Sequence, residues 1–285
     1  MRKLILQIAT VCACVPFAAK CQKIQSDTVG NYKLIWADEF NNEGAPDTTN
    51  WRYERGFVRN HELQWYQPEN AVCHKGILTI EVRKEHRPNP AYAAGSSNWK
   101  ANREFIEYTS ASMNTRGLHS WQYGRFVMRA RIDVDAGLWP AFWTLGTTRP
   151  WPLNGEIDIM EFYRNKLLAN IASGISPGKA RWYSNTRPID SLGKNWSKKF
   201  HTWRMDWNAE AISLYVDDML MNRQELSKLV NQDGSGFNPF MQPEYVLLNL
   251  ALGGDNGGDP SATSFPRKYE IDYVRVYQKP GTATK

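Results

Sequence analysis

The segment Trp151-Pro152-Leu153-Asn154-Gly155-Glu156-Ile157-Asp158-Ile159-Met160-Glu161-Phe162-Tyr163 places three carboxylic acids close together among apolar neighbours. Such a grouping is costly inside a protein unless the acids face a cleft and share protons or hydrogen bonds. Backbone conformation decides what they can do together. On an α-helix, Glu156 and Glu161 would point about 140° away from each other. On a strand, Glu156 and Asp158 share a face and Glu161 falls on the opposite one. One extra residue, a β-bulge at Ile159-Met160, returns Glu161 to the side of Asp158 and leaves Ile157 and Phe162 for a core.

Two glutamates so arranged approach the separation of about 5 to 5.5 Å that retaining glycoside hydrolysis needs. One attacks the anomeric carbon as a carboxylate. The other starts protonated and donates to the leaving oxygen, a state that an anionic neighbour and partial burial favour. Asp158 stands between them and holds a hydrogen bond to the nucleophile. Spacing alone also accommodates an acidic strand edge or a metal site.

The elements that must position these residues read as short alternating runs, at 76–82, 123–132, 203–207, 211–216 and 269–277. In each, apolar residues can pack inward while Arg, Asp, Glu or Thr faces out. Strands this numerous, without helices between them, predict an all-β antiparallel sandwich or barrel. The one helix-like stretch is short, at 224–230. No internal repeat or long linker interrupts the chain.

Composition bounds the remaining possibilities. A chain of 285 residues with 42% apolar and 22% charged residues has enough material for a large core and is neither disordered nor a polytopic membrane protein. Twelve tryptophans and 13% aromatic residues exceed what a core of this size needs, and spare rings stack on sugars or nucleobases. The net charge of +6 raises nucleic acid as a partner, but the basic residues are scattered among acids rather than clustered, which argues against it.

Arg2 and Lys3, followed by an apolar run and small residues, read as an export signal over 1–21, too short for a lasting transmembrane helix. Within it, Val11-Cys12-Ala13-Cys14 resembles a lipobox, which predicts a lipid-anchored protein of the cell envelope, at the periplasm or the cell surface; simple secretion is the alternative. Cys12, Cys14 and Cys21 belong to this segment, so no disulfide framework follows, and Cys73 reads as a small buried hydrophobe. A polar linker spans 22–31, a single domain 32–279 and a tail 280–285.

The Glu-x-Asp-x-x-Glu pattern at Glu156, Asp158 and Glu161 resembles glycoside hydrolase family 16, in its laminarinase-like bacterial branch. Supporting motifs run in order along the chain: Leu34-Ile35-Trp36-Ala37-Asp38-Glu39-Phe40, Glu62-Leu63-Gln64-Trp65-Tyr66, Leu138-Trp139-Pro140-Ala141-Phe142-Trp143, Leu248-Asn249-Leu250-Ala251-Leu252-Gly253-Gly254 and Ile271-Asp272-Tyr273-Val274-Arg275-Val276-Tyr277. The resemblance implies a β-jelly-roll sandwich of two antiparallel sheets with an open concave cleft, acting on internal bonds of a β-linked polysaccharide. By motif position, Glu156 looks like the nucleophile, Asp158 the assisting carboxylate and Glu161 the acid/base. Trp139, Trp143 and Trp151 flank the catalytic strand as candidate stacking residues, and Asn70, Arg116 and Asn170 are candidate polar contacts. His201 matches a His-x-x-Trp pattern and reads as structural.

The same resemblance implies no required cofactor. Glu39 and Asp272 are candidate ligands of a structural calcium, although two distant carboxylates lack the ligand spacing of a calcium loop. Relatives often carry an arginine where this chain has Ser112, and a histidine on the strand after the catalytic one, where this chain reads Leu167-Leu168-Ala169-Asn170-Ile171-Ala172-Ser173. The expected activity is endo-hydrolysis of a β-1,3- or mixed β-1,3/1,4-glucan by a monomer. Alternatives are a β-galactan, such as agar, porphyran, carrageenan or a host galactose-containing glycan, and a noncatalytic glycan-binding protein. Arg164, Lys166, Lys179 and Arg181 would suit an anionic galactan, or are solvated loop charges.

Overall fold

A computed structural model describes residues 28–281. The export signal expected at 1–21 with its lipobox-like run, most of the expected linker at 22–31 and most of the expected tail at 280–285 lie outside the described residues.

Among the described residues the strands form two sheets, of seven and eleven strands. The smaller runs in the order Lys179–Pro188, Lys166–Ser176, Glu156–Tyr163, Leu138–Gly146, Glu244–Leu252, Ser112–Asn114 and Arg52–Tyr53. The larger is centred on Gly124–Ile132, which pairs with His201–Trp207 on one side and Arg267–Gln278 on the other. Neighbours are antiparallel except Gln64–Tyr66 against Phe105–Ser110, which are parallel. The two sheets pack face to face as a jelly-roll sandwich.

The alternating runs form strands because each has one face in a common core. On His201–Trp207, Trp203, Met205 and Trp207 are buried while Thr202, Arg204 and Asp206 alternate outward. They meet Phe142, Ile157, Phe162 and Ile171 from the smaller sheet in one hydrophobic cluster. Residues 211–216 form a strand over the expected span. The helix expected at 224–230 is absent: Met219–Glu225 continues as a strand and Leu226–Lys228 is a single 3-10 turn whose Leu226 is buried. The α-helix among the described residues is the four-residue Gly254–Gly257. No helix of the described residues is long and apolar enough to cross a membrane.

Composition overstated the aromatic surplus. Of the twelve tryptophans six are buried, and only Trp151 and Trp182 are largely exposed.

One acidic group sits on the core side of the smaller sheet. Glu244 is fully buried; Thr144 donates a hydroxyl hydrogen bond to its Oε2, while Oε1 has no partner among the described residues. Burial pushes its pKa from the ordinary 4.5 to about 8. The folded state therefore holds this proton more tightly than the unfolded chain, and the associated stability is present below pH ~4.5 and lost as pH rises through about 8. Glu244→Gln, which cannot ionise, should lose less melting temperature than the wild type between pH 5 and pH 9 in a thermal unfolding series. Parallel curves for the two proteins would show that Glu244 ionises as freely folded as unfolded.

Candidate active site

Gly155 opens the catalytic strand Glu156–Tyr163 with φ +79°, and a Cβ there would sit 2.8 Å from Pro239 Cβ, so glycine alone fits this entry. The strand then bulges where the spacing requires. Asp158 pairs with Asn170 and Glu161 with Leu168, leaving Ile159 and Met160 opposite one residue; the pairing with Leu138–Gly146 shifts at the same place. Ile157, Ile159, Met160 and Phe162 all enter the core. Glu156, Asp158 and Glu161 line a cavity of about 680 Å³ on the opposite face.

Each outer glutamate is held by an indole. Trp151 Nε1 donates to Glu156 Oε2 at 2.5 Å, and Trp139 Nε1 donates to Glu161 Oε1 at 2.7 Å. Asn170 Nδ2 donates to Glu161 Oε2 at 2.8 Å, from the residue opposite Asp158. Asp158 lies within hydrogen-bond reach of both glutamates. One bridging carboxyl thus links the two outer glutamates along the cleft floor, the kind of carboxyl pair that glycoside hydrolysis uses.

The environments separate the three protons. Burial raises Asp158 well above the ordinary range, reinforced by the charges of Glu161 and Glu156. Its Oδ2 receives no donor among the described residues, which favours a proton on that carboxyl. Burial also raises Glu156, opposed by the Trp151 N–H, the Asp158 hydrogen bond and the positive charge of Arg59. Burial pushes Glu161 to about 7, with the Trp139 N–H lowering it and the Glu156 charge raising it. The hydrogen bonds and the Arg59 charge oppose burial at Glu156, and negative charge on Glu156 raises the Glu161 pKa.

The three expected tryptophans all line the cavity. Trp139 lines the cavity at 6% exposure and donates from its indole edge to Glu161. Trp143 donates to Asn249 Oδ1 at 2.7 Å and has the Arg59 guanidinium 5.2 Å over its ring. Trp151 is 43% exposed beside Glu156. Asn170 lines the cavity.

Four expectations are corrected. Asn70 is fully buried, donating to Glu81 O at 2.7 Å and Thr109 Oγ1 at 3.1 Å, and is a structural residue away from the cleft. Arg116 does not line the cavity; it is exposed, with its guanidinium 5.7 Å over the Tyr245 ring. Glu39 is taken by Arg275, with both oxygens accepting at 2.7 and 2.8 Å, and Asp272 by Arg129. These two carboxylates already have cationic partners, and no group of three His, Cys, Asp or Glu among the described residues is placed to hold a metal ion. His201 bridges Asp217 and the Trp196 carbonyl and stacks on the Trp196 ring, a structural role as read.

Sequence reasoning passed over Glu54, Arg59, Glu62, Trp182, Ser184, Tyr245 and Asn249, all of which line the cavity. Arg59 Nη2 donates to both carboxylate oxygens of Glu54, which also accepts from Ser112 Oγ at 2.5 Å. Asn249 carries a visible signal, lying in the quoted Leu248-Asn249-Leu250 run as a polar residue among apolar ones. Glu54, Arg59 and Glu62 come from loops and Trp182 and Ser184 from an edge strand without apolar alternation, while Tyr245 lies in the interior strand Glu244–Leu252 whose positions are all buried.

Comparison with known proteins agrees with this geometry. Residues 59–275 match the model of glycosyl hydrolases family 16. A beta-glucanase of Rhodothermus marinus is 36% identical over 279 residues, covering 89% of this chain and 88% of its own. A structure from work on endo-acting O-glycanases, with which human gut microbiota initiate mucin breakdown, superposes with a TM-score of 0.80 at 33% identity, covering 90% of this chain and 94% of that one. The non-specific endo-β-1,3(4)-glucanase SCLam superposes at 0.71 with 35% identity, covering 87% and 92%. With a bulged Glu-x-Asp-x-x-Glu strand on the floor of a jelly-roll cleft and this extent of similarity, the chain belongs to glycosyl hydrolases family 16.

Proposed function

We propose that this protein is an endo-β-glucanase that cleaves internal bonds of β-1,3- or mixed β-1,3/1,4-glucans with retention of configuration. The observation that carries the reading is the carboxyl ladder, in which the Trp151 N–H, the Asp158 hydrogen bond and the Arg59 charge oppose the upward pull of burial on Glu156, while burial pushes Glu161 to about 7. Glu156 attacks the anomeric carbon as the bond to the leaving oxygen breaks, and Glu161 gives that oxygen its proton. The sugar is then an ester of Glu156. Glu161, now a carboxylate, takes a proton from water, which attacks the same carbon and frees Glu156. Asp158 donates its hydrogen bond to Glu156 throughout and keeps the two glutamates apart in charge.

The lining of the cleft favours a neutral glycan. Five carboxyl side chains, Glu54, Glu62, Glu156, Asp158 and Glu161, face one cation among the described lining residues, and that cation, Arg59, is already paired with Glu54. Among the described lining residues no guanidinium or ammonium is left for a sulfate. The basic residues weighed for an anionic galactan do not line the cavity: Arg164 donates to Asp255 O, and Arg181 lies over Tyr183 on the far face of its strand. A second reading, cleavage of galactose-containing mucin-type glycans, is favoured by the TM-score of 0.80 to the O-glycanase structure. The basic start Arg2-Lys3 with its apolar run and the lipobox-like Val11-Cys12-Ala13-Cys14 support, in this proposal, action at the cell envelope.

Product analysis on laminarin, mixed-linkage glucan, neutral galactans and mucin glycans decides between the two substrates: oligosaccharides from the glucans support the first reading, and release from mucin alone supports the second. Glu156→Gln should lower kcat by a thousandfold or more, on the order expected for loss of a nucleophile, while glucan affinity measured with the inactive protein is kept. Substantial residual turnover would contradict the nucleophile assignment. Trp139→Phe removes a hydrogen bond that lowers the Glu161 pKa. The alkaline limb of its kcat/KM profile should therefore move above that of the wild type, which falls near pH 7; a shift to lower pH would mean that Glu161 is not the group titrating.

A further inference from the structure

Among the described residues only two tryptophans are largely exposed, and both line the cleft. Trp151 is accounted for by its bond to Glu156. Trp182, 46% exposed on the edge strand Lys179–Pro188, is not. Cross-strand pairing places it in a row with the nucleophile: Leu145 lies opposite Glu156, Glu156 opposite Ala172, and Ala172 opposite Trp182. Side chains of directly paired residues share a face, so Trp182 rises from the same floor as Glu156, two strands or about 10 Å away. Between them Ala172 contributes a single methyl group, which leaves that floor low.

The two arms of the cleft differ in what covers their rings. On the side of Glu244–Leu252, the Trp143 face lies under Arg59 at 5.2 Å and the Tyr245 face under Arg116 at 5.7 Å. On the other side no aromatic ring or cation among the described residues stacks on Trp182, and the neighbouring Arg181 points to the opposite face, over Tyr183. An uncovered indole on an edge strand exposes apolar area that folding leaves in water, and its position in line with the reacting carboxylate gives that area a ligand.

We propose that Trp182 is a sugar-stacking subsite: its indole face packs against the axial C–H face of a pyranose unit beyond the one attacked by Glu156, with Ser184 beside it available to a ring hydroxyl. This arm holds the polysaccharide by stacking, and the arm of Arg59 and Glu54 holds it by polar contacts. The inference rests on the cleft being a glycan-cleaving site.

The test is the dependence of kcat/KM on substrate length, using short and long oligosaccharides of the β-glycan that the wild-type protein degrades, glucan or galactan. Trp182→Ala should lose about tenfold, equal to about 1.4 kcal/mol, on the long oligosaccharides and stay within twofold to threefold of wild type on the shortest one cleaved. Trp182→Phe, which keeps a ring, should recover most of the loss. Because the side chain projects from an edge strand, both variants should melt near the wild-type temperature. An equal loss at every length would make Trp182 a support of the catalytic strand, and no loss would leave it without a role in binding; either overturns the proposal. A wrong glucan assignment shows separately, as wild-type preference for another glycan.

Discussion

Three carboxyl groups confined to one face of one strand repel each other as anions and lose hydration as they are buried, and the architecture around them answers both costs. Burial and the flanking glutamates raise Asp158 well above the ordinary range, which favours its neutral form as the bridge between the outer pair, and burial pushes Glu161 to about 7. The bulge at Ile159-Met160 is the geometric condition for this arrangement. Without it the alternation of a strand would carry Glu161 into the core and Met160 into the cleft.

The surrounding structure serves to hold that strand and its proton donors still. Below it, Ile157, Ile159, Met160 and Phe162 lock the strand into the sandwich core. Above it, the loop carrying Trp151 is tied down through its backbone: Asn231 Nδ2 donates to Leu153 O at 2.8 Å and Gln242 Nε2 to Asn154 O at 2.9 Å. Trp139 comes from the adjacent strand Leu138–Gly146 and Asn170 from the other neighbour, Lys166–Ser176. Each glutamate is thus fixed by donors on elements of different origin, the condition for a preorganised site.

The catalytic strand was legible because only a bulged strand reconciles Glu156, Asp158 and Glu161 with Ile157 and Phe162. Strands with one wet face, such as His201–Trp207 and Ala211–Val216, were legible by alternation. Leu138–Gly146 and Glu244–Leu252 were not, since Ala141, Trp143, Tyr245 and Leu247 form a second buried cluster on their cleft side and nearly every position is covered. Trp182 escaped notice because the exposed strand Lys179–Pro188 shows neither pattern and its meaning depends on register. The pairing of Arg59 with Glu54 joins loop residues by tertiary contact. Glu39 and Asp272 misled as metal ligands because their arginine partners, Arg275 and Arg129, are visible as such only across paired strands.

The claim on which the account turns is that Glu156 becomes covalently attached to the sugar while Glu161 handles the proton. Trapping the protein with a 2-deoxy-2-fluoro β-glycoside bearing a good leaving group, followed by peptide mass spectrometry, reads this directly. The account predicts the added mass of one fluorinated glycosyl group on the peptide at Glu156. A label on Asp158 or Glu161, or turnover that inverts the anomeric centre with no covalent adduct, would contradict it.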